Sequence, residues 1–416
     1  MKQRYVINIQ NVDDLNNIQI DVAPFTIFTG DNNSGKTVIL NIIYGLLKLS
    51  KKIIANGDKG CKEYTLCREF ISNLKKERES CIDFEVGSMF CDYFNMSLRK
   101  NKEDFFNEVF NVSIENNYKR FENSQIFLSN YRIFPNVYLL VDDYCDEILI
   151  EGDLVKIPAR FFDNEEFVLE LICHKIIDEG FDNINVTKPI FMPSGRSTFL
   201  CYTEVFKTIK YQNLSIRDFI NNIDNLEFEE KGVYLSIHKF IEDEILKGSV
   251  TKDSYKSYLN NIEIPICMAS DFVREIASLV LFLKSKDRFT SFFIEEIENH
   301  LNIKLQRIIV NALIRIVNSG TNVFMSTNST VILDQICNFL LLNNLNRNKI
   351  TGFGYVISEV LDPISVNIYE FTRNENGVSV NKIPVSFRGF DNFNNKILED
   401  MTKENLQFRV EMSENK

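Results

Sequence analysis

No stretch of the 416-residue chain approaches the roughly 20 consecutive apolar residues that a bilayer-spanning helix needs, so no membrane partner is expected. The opening Met1-Lys2-Gln3-Arg4 runs straight into an alternating, strand-like pattern, and no signal peptide is expected. Cysteine is neither paired nor clustered: its nine residues are odd in number and scattered, with no C-x-x-C pair, and histidine occurs only three times. That pattern argues against a structural zinc site and for reduced thiols in a cytoplasmic protein. Internal repeats, low-complexity tracts and sustained heptads are all missing, so long coiled-coil arms are not expected. Positive charge is short as well. With 47 Lys and Arg against 58 Asp and Glu, the formal net charge is −11, which disfavours a broad DNA-binding face. Three small basic clusters remain, at Lys48/Lys51/Lys52, Arg99/Lys100/Lys102 and Arg347/Lys349. Each reads as a solvated helix end rather than a nucleic-acid contact.

What is present is the composition of an ordinary globular protein, 44% hydrophobic and 25% charged, long enough for two domains or for one large domain with an insertion. Its most informative stretch is the apolar run Phe25-Thr26-Ile27-Phe28-Thr29, followed by Gly30-Asp31-Asn32-Asn33-Ser34-Gly35-Lys36-Thr37 and then an amphipathic run from Val38. Strand, glycine loop and helix in that order are the context in which G-x-x-x-x-G-K-T binds phosphate. Gly30 and Gly35 let the backbone wrap an anion, so that successive N–H groups and the helix N-terminus face it. Lys36 can reach the β- and γ-phosphates, and the Thr37 hydroxyl can ligate Mg²⁺. The nucleotide-contacting set is therefore expected to be Gly30, Asp31, Asn32, Asn33, Ser34, Gly35, Lys36, Thr37 and Val38.

In chain order, the alternating runs 5–9 and 18–22 predict a hairpin ahead of the loop, and a helix is expected over about 35–54. Further helices are expected near 60–77, 165–179, 203–224 and 232–247. Strand-like runs at 137–141 and 147–150 have the pattern of a hairpin. Ile190 to Ser197 reads as a buried strand ending in a turn that presents Arg196. That arginine has two equal readings, a local ion pair or a nucleotide contact. The second informative stretch is Thr290-Ser291-Phe292-Phe293-Ile294-Glu295-Glu296. A buried strand ending in acids places them at the sheet's C-terminal edge, where ligands bind in open α/β sheets. There Glu295 would hold Mg²⁺ and Glu296 would orient and deprotonate the attacking water. Taken alone, the two acids would equally suit an acidic helix start. A helix over 304–317, a strand over 322–325, the polar Ser326-Thr327-Asn328-Ser329 and a helix over about 330–345 follow. Two strands (353–360 and 364–372), a turn at 374–377, a short helix near 390–403 and a polar, disordered last dozen residues complete the expectation.

Together these blocks resemble the ABC-type ATPases of the SMC/RecF-like and OLD-like group. More narrowly, they resemble the arm-less bacterial proteins labelled AAA family ATPase, many of which sit in antiphage defence loci. The loop at Gly30–Thr37 is similar to the family's Walker A segment, and Ile294-Glu295-Glu296-Ile297-Glu298-Asn299-His300-Leu301 to its Walker B and D-loop. Cys267 to Ile276 resembles the degenerate signature segment, Met325 to Ser329 the switch, and Pro193 to Ser197 a proline–arginine loop. The resemblance implies an α/β fold, a P-loop NTPase of ABC-ATPase type. Its mixed sheet would be flanked by helices, with a mostly helical insertion between Walker A and the signature. Implied boundaries are 1–55 and 256–416 for the two halves of the ATPase domain and 56–255 for the inserted subdomain. ATP and Mg²⁺ are the implied cofactors, with Thr37 and Glu295 on the metal and Lys36, Glu296 and Asn328 as catalytic residues. Ser270 is implied to reach across a homodimer, or a higher homo-oligomer, to the γ-phosphate held by the partner, and also to cap its own helix. Three residues depart from the pattern: Glu295 stands where Asp is commoner, Ile297 replaces a proline, and Asn328 replaces a histidine. Asparagine can hydrogen-bond the γ-phosphate but cannot titrate, so slow turnover is expected. The implied role is ATP-driven dimerisation that controls a separately encoded effector, a toxin or nuclease. DNA is the less favoured partner, and an ATP-sensing scaffold with negligible hydrolysis is the other alternative.

Overall fold

The alternating apolar positions of the first 22 residues do close a hairpin: β1 (Arg4–Gln10) pairs antiparallel with β2 (Ile18–Asp21), Ile7 opposite Ile20. The computed structural model describes residues 4–111, 121–132, 137–143, 150–151, 154–177, 188–209, 212–229, 232–375 and 377–390. The continuous apolar run that follows the hairpin forms β3 (Phe25–Gly30), buried on both faces, and leads through the glycine loop into α1 (Lys36–Ala55). Next come α2 (Lys62–Glu77), β4 (Glu79–Ile82), α3 (Phe84–Lys100), α4 (Lys102–Phe110) and β5 (Gln125–Arg132), which pairs with β1. They are followed by β6 (Val137–Asp142), β7 (Ile150–Glu151), β8 (Leu154–Pro158) and α5 (Glu165–Ile177).

The expected pairing of 137–141 with 147–150 is not what forms. Strand β6 lies between β4, antiparallel to it, and β8, parallel to it, while Ile150 and Glu151 pair with β8. The rest of the 147–150 run lies outside the described residues.

From β9 (Lys188–Met192) the chain returns to the sheet of β3. The expected helix at 203–224 divides into α7 (Thr203–Lys207), which follows α6 (Arg196–Cys201), and α8 (Leu214–Asp224). The one at 232–247 is α9 (Leu235–Ile241) running into a π-helical turn, Glu242–Leu246. A small sheet of β10 (Gly248–Val250), β11 (Ser254–Ser257) and β12 (Glu263–Pro265) precedes α10 (Asp271–Leu283). Then come β13 (Phe289–Glu295), α11 (Ile303–Asn318), β14 (Asn322–Ser326), α12 (Thr330–Leu341), α13 (Arg347–Gly352), β15 (Val366–Asn374) and β16 (Gly377–Ile383).

The strand expected at 353–360 is a loop with a 3-10 turn at Ile357–Glu359. Its Phe353, Val356 and Ile357 are exposed while Glu359 is buried against Arg315, so no neighbouring strand ever claims the segment. The expected helix near 390–403 and the polar tail lie outside the described residues, apart from residue 390.

Six strands in the order β16-β15-β3-β14-β13-β9 form the central sheet, parallel except for β16. It is the mixed sheet flanked by helices of an α/β P-loop NTPase. Period-two alternation divides its side chains between two cores. Phe28, Phe191, Phe293, Phe324 and Tyr369 face α1 to α5; Ile27, Ile190, Phe292, Ile294 and Met325 face α8 to α12. Among the described residues no helix is long and apolar enough to cross a membrane.

Candidate functional site

The loop between β3 and α1 is built on backbone that glycine adopts without strain. Gly30 has φ 114°, and a Cβ there would lie 2.1 Å from the Phe371 carbonyl oxygen, because β15 runs alongside. Gly35, φ 87°, stands at the N-cap of α1 and offers no side chain to cap it. No acid occupies that helix's first turn, so its leading N–H groups are left for an anion. The Ser34 hydroxyl closes the loop by donating to the Asp31 carbonyl (2.6 Å). Lys36 Nζ donates to the carbonyls of Gly30 (2.9 Å) and Asp31 (2.6 Å). Desolvation lowers its pKa, against the opposing pull of Glu296, Asp31 and Glu298.

Parallel pairing brings the second informative stretch to the same sheet edge. Glu295 ends β13 opposite Ser326, the last residue of β14, and β14 pairs in turn with β3. The Glu295 carboxylate is buried; its Oε2 accepts from the Ser194 N–H (3.0 Å), and its Oε1 has no hydrogen-bond partner. Desolvation raises its pKa, partly offset by the Ser194 N–H and the Thr37 side chain. Mg²⁺ at nucleotide sites takes one or two carboxylates plus phosphate oxygens rather than a protein cage. A buried carboxylate oxygen without a partner, beside a threonine side chain, fits that demand. Among the described residues no group of three or more His, Cys, Asp or Glu is placed to hold a metal ion by itself.

Glu296 is half-buried and left-handed, φ 44°, a conformation that costs a non-glycine residue about 1–3 kcal/mol. The surrounding bonds over-determine it. Its N–H donates to the Ser326 carbonyl (3.0 Å), its carbonyl accepts from the Asn299 N–H (3.1 Å), and its Oε2 accepts from Asn299 Nδ2 (3.0 Å). Asn328 reaches the loop directly, its Nδ2 donating to Asn32 Oδ1 (2.9 Å).

Sequence reasoning left Glu298 and Arg373 out of this site and gave Arg196 two equal readings. Glu298 Oε1 accepts from the Thr327 hydroxyl (2.9 Å) and the Asn328 N–H (2.8 Å), clamping the switch to the end of Walker B. Its Oε2 is buried without a partner, and desolvation raises its pKa. Arg196 is wholly buried and pairs with Glu275 of α10 (3.1 Å), which answers the first of its two readings. Its guanidinium also donates to the Glu295 carbonyl (2.7 Å), tying α10 to the strand end that carries the acids. Arg373 of β15 donates to the Asn33 carbonyl (2.6 Å) and to Asp14 (2.7 Å), while its N–H donates to the Asp31 carboxylate (2.8 Å). With Val38 it lines a cavity of about 150 Å³ beside the loop. No local motif marks Arg373, because its partners are more than 300 residues away in sequence.

Lys36, Thr37, Glu295, Glu296, Asn32 and Asn328 thus share one edge of the sheet. Ser270 makes no hydrogen bond to any of them. It occupies the N-cap position of α10, but its exposed hydroxyl makes no capping hydrogen bond, contrary to the expected capping role.

The sequence profile of the family described as AAA ATPase domain matches residues 5–333. No curated protein matches the chain. Among solved structures, the SMC head domain from Thermotoga maritima is 10% identical over 92% of this chain and 99% of that one, with a TM-score of 0.37. An SmcHead bound to the C-winged helix domain of ScpA is 12% identical over 92% and 98%, TM-score 0.38. The Smc head domain with an extended coiled coil, bound to the C-terminal domain of ScpA derived from Pyrococcus furiosus, is 10% identical over 98% and 100%, TM-score 0.38.

Proposed function

Because the chain belongs to the AAA ATPase domain family, we propose that ATP with Mg²⁺ locks two copies head to tail, that slow hydrolysis releases them, and that this cycle controls a separately encoded effector. ATP binding and ATPase activity come with the family. The observation that carries the finer reading is the convergence of Lys36, Thr37, Glu295, Glu296 and Asn328 on one sheet edge, with Asn328 hydrogen-bonded to the loop at Asn32.

In this reading the loop N–H groups and the α1 N-terminus cradle the phosphates, and Lys36 leaves its two carbonyl partners to follow the β- and γ-oxygens. Thr37 and Glu295 Oε1 would hold Mg²⁺, which supplies charge neutralisation across the β- and γ-phosphates. Glu296 takes the proton from the water that attacks the γ-phosphorus as the bond to the β,γ-bridging oxygen breaks and ADP leaves; its left-handed backbone and the Asn299 amide fix where its carboxylate points. Asn328 donates to the transferring phosphoryl group without carrying charge, so turnover falls below the usual enzyme range of about 1–10³ s⁻¹. Ser270, with an uncommitted hydroxyl at a helix N-terminus, suits a γ-phosphate presented by a second copy. The effector, a toxin or nuclease in an antiphage setting, rests on the family resemblance of the motifs.

Nucleotide binding and hydrolysis by two variants test the site. Lys36→Ala is expected to lose ATP–Mg²⁺ binding. Glu296→Gln is expected to keep it, lose hydrolysis and remain dimeric with ATP. Unchanged hydrolysis in Glu296→Gln would move the base elsewhere.

A further inference from the structure

The Arg99/Lys100/Lys102 cluster is not simply a solvated helix end. Lys100 turns away to the Gly57 carbonyl, whereas Arg99 and Lys102 border a cavity of about 540 Å³ lined by α3, α4 and β5, Lys102 Nζ also donating to the Glu122 carbonyl (2.6 Å). That volume lies within the ~300–1,000 Å³ of small-molecule sites. Leu98, Phe105, Phe106 and Ile126 form buried walls, and none of the described residues that line it is acidic. Arg99 is exposed at the rim and makes no hydrogen bond or ion pair among the described residues. Lys102 is the first residue of α4, and the Asn101 side chain ahead of it does not cap the helix, donating instead to the carbonyls of Asn56 and Ser97. Two basic side chains therefore stand together on the wall of a largely apolar chamber, while Glu103 and Asp104 occupy the first turn of α4. We propose that this cavity binds a small amphipathic organic anion, with its carboxylate or phosphate at Arg99 and Lys102 and its apolar body against Phe105.

Two contacts connect the chamber to the phosphate loop. Phe105 and Val109 of α4 rest on the backbone of α1 at Gly45, where an added Cβ would meet Val109 at 2.4 Å and the Phe105 ring at 3.2 Å. On the other side the Ser124 hydroxyl donates to the Asn11 carbonyl, and Leu15 in the same turn packs on Gly35. Ligand that shifts Phe105 or Ser124 thus acts on both flanks of the loop, and its binding changes ATP affinity. This second step, unlike the first, rests on the loop being the ATP site.

Isothermal titration of the full chain with octanoate and octyl phosphate, each below its micelle concentration, tests the site, with octanol and inorganic phosphate as single-feature controls. Both amphipathic anions are expected to bind one per chain, and each control roughly tenfold more weakly or worse, the equivalent of one lost charge-assisted contact or of the apolar body. Arg99→Glu/Lys102→Glu is expected to lose anion binding while keeping a cooperative thermal transition and Lys36-dependent ATP binding, and Met96→Trp, which fills the chamber, to exclude both anions. Absence of saturable anion binding, or equal binding to the charge-reversed variant, would overturn the site. ATP affinity unchanged at saturating octanoate would overturn the coupling, and loss of ATP binding in Lys36→Ala shows separately that the loop is the nucleotide site.

Discussion

In the proposed reading, Asn328 and Glu298 set how fast this site turns over. An imidazole in place of Asn328 could carry charge in response to the γ-phosphate; an amide cannot, and here it is already engaged with Asn32. Asn328→His is expected to raise the hydrolysis rate and shorten the lifetime of the ATP-bound assembly. Asn328→Ala should bind ATP yet hydrolyse it more slowly by roughly 10²-fold, the cost of one well-aimed polar contact. Single-turnover assays with separate measurement of ATP binding check both, and a parent indifferent to Asn328→Ala would make the residue a bystander. Glu298, bonded to the Thr327 hydroxyl and the Asn328 N–H, would then act through Asn328 rather than on the nucleotide. Glu298→Ala releases the Thr327 hydroxyl and the Asn328 N–H together, so kcat is expected to fall about tenfold or more while KM barely moves. Glu298→Gln, which keeps one acceptor oxygen, should recover much of that loss. The carboxylate was legible in the sequence as one acid among three after a strand. Its clamp on the switch was not, because the partners lie 29 and 30 residues further on and meet it only once β14 pairs with β13.

Elements were legible where one local pattern sufficed. The hairpin of β1 and β2, the run of β3, the loop and α1, and β13 ending in acids all form where alternation or continuous apolarity placed them. Segment 353–360 failed because β-branched residues favour a strand only when a neighbour covers them, and here buried Glu359 pulls the chain toward Arg315 instead. The β6 pairing failed because its partner β8 lies beyond the run that matched its pattern. One seam between elements makes a pH-dependent prediction. His174 of α5 sits 2.8 Å from the Ser50 hydroxyl of α1, and desolvation, with Lys51 and Lys175 adding to it, lowers its pKa to about 3. The unfolded chain takes up that proton near pH ~6.5, and the folded chain does not until near pH 3. The seam's contribution is therefore complete above about pH 6.5 and drains away as pH falls toward 3. Urea midpoints measured across that range should decline less steeply in His174→Leu than in the parent. An identical slope in the two proteins would show that the imidazole is not held neutral.

At the scale of the whole molecule, the central sheet keeps two cores apart and gathers residues from both ends of the chain onto one edge. β15 lies parallel to β3 and brings Arg373 to the loop, and the buried Arg196–Glu275 pair joins α10 to Glu295. Neither connection was readable beforehand, since long-range strand order leaves no local signature, whereas the nucleotide motifs were complete in themselves. The same assembly leaves Ser270 at a helix start with a hydroxyl that caps nothing. In the proposed reading, a site that needs this serine is complete only when two copies meet. If two copies meet as proposed, mixing Ser270→Arg protein with Lys36→Ala protein, each expected to be inactive alone, would yield heterodimers in which one composite site keeps both its lysine and its serine. Partial recovery of ATP hydrolysis in the mixture is the predicted result. No recovery, with heterodimers demonstrated by mass, would contradict an active site shared between two protomers.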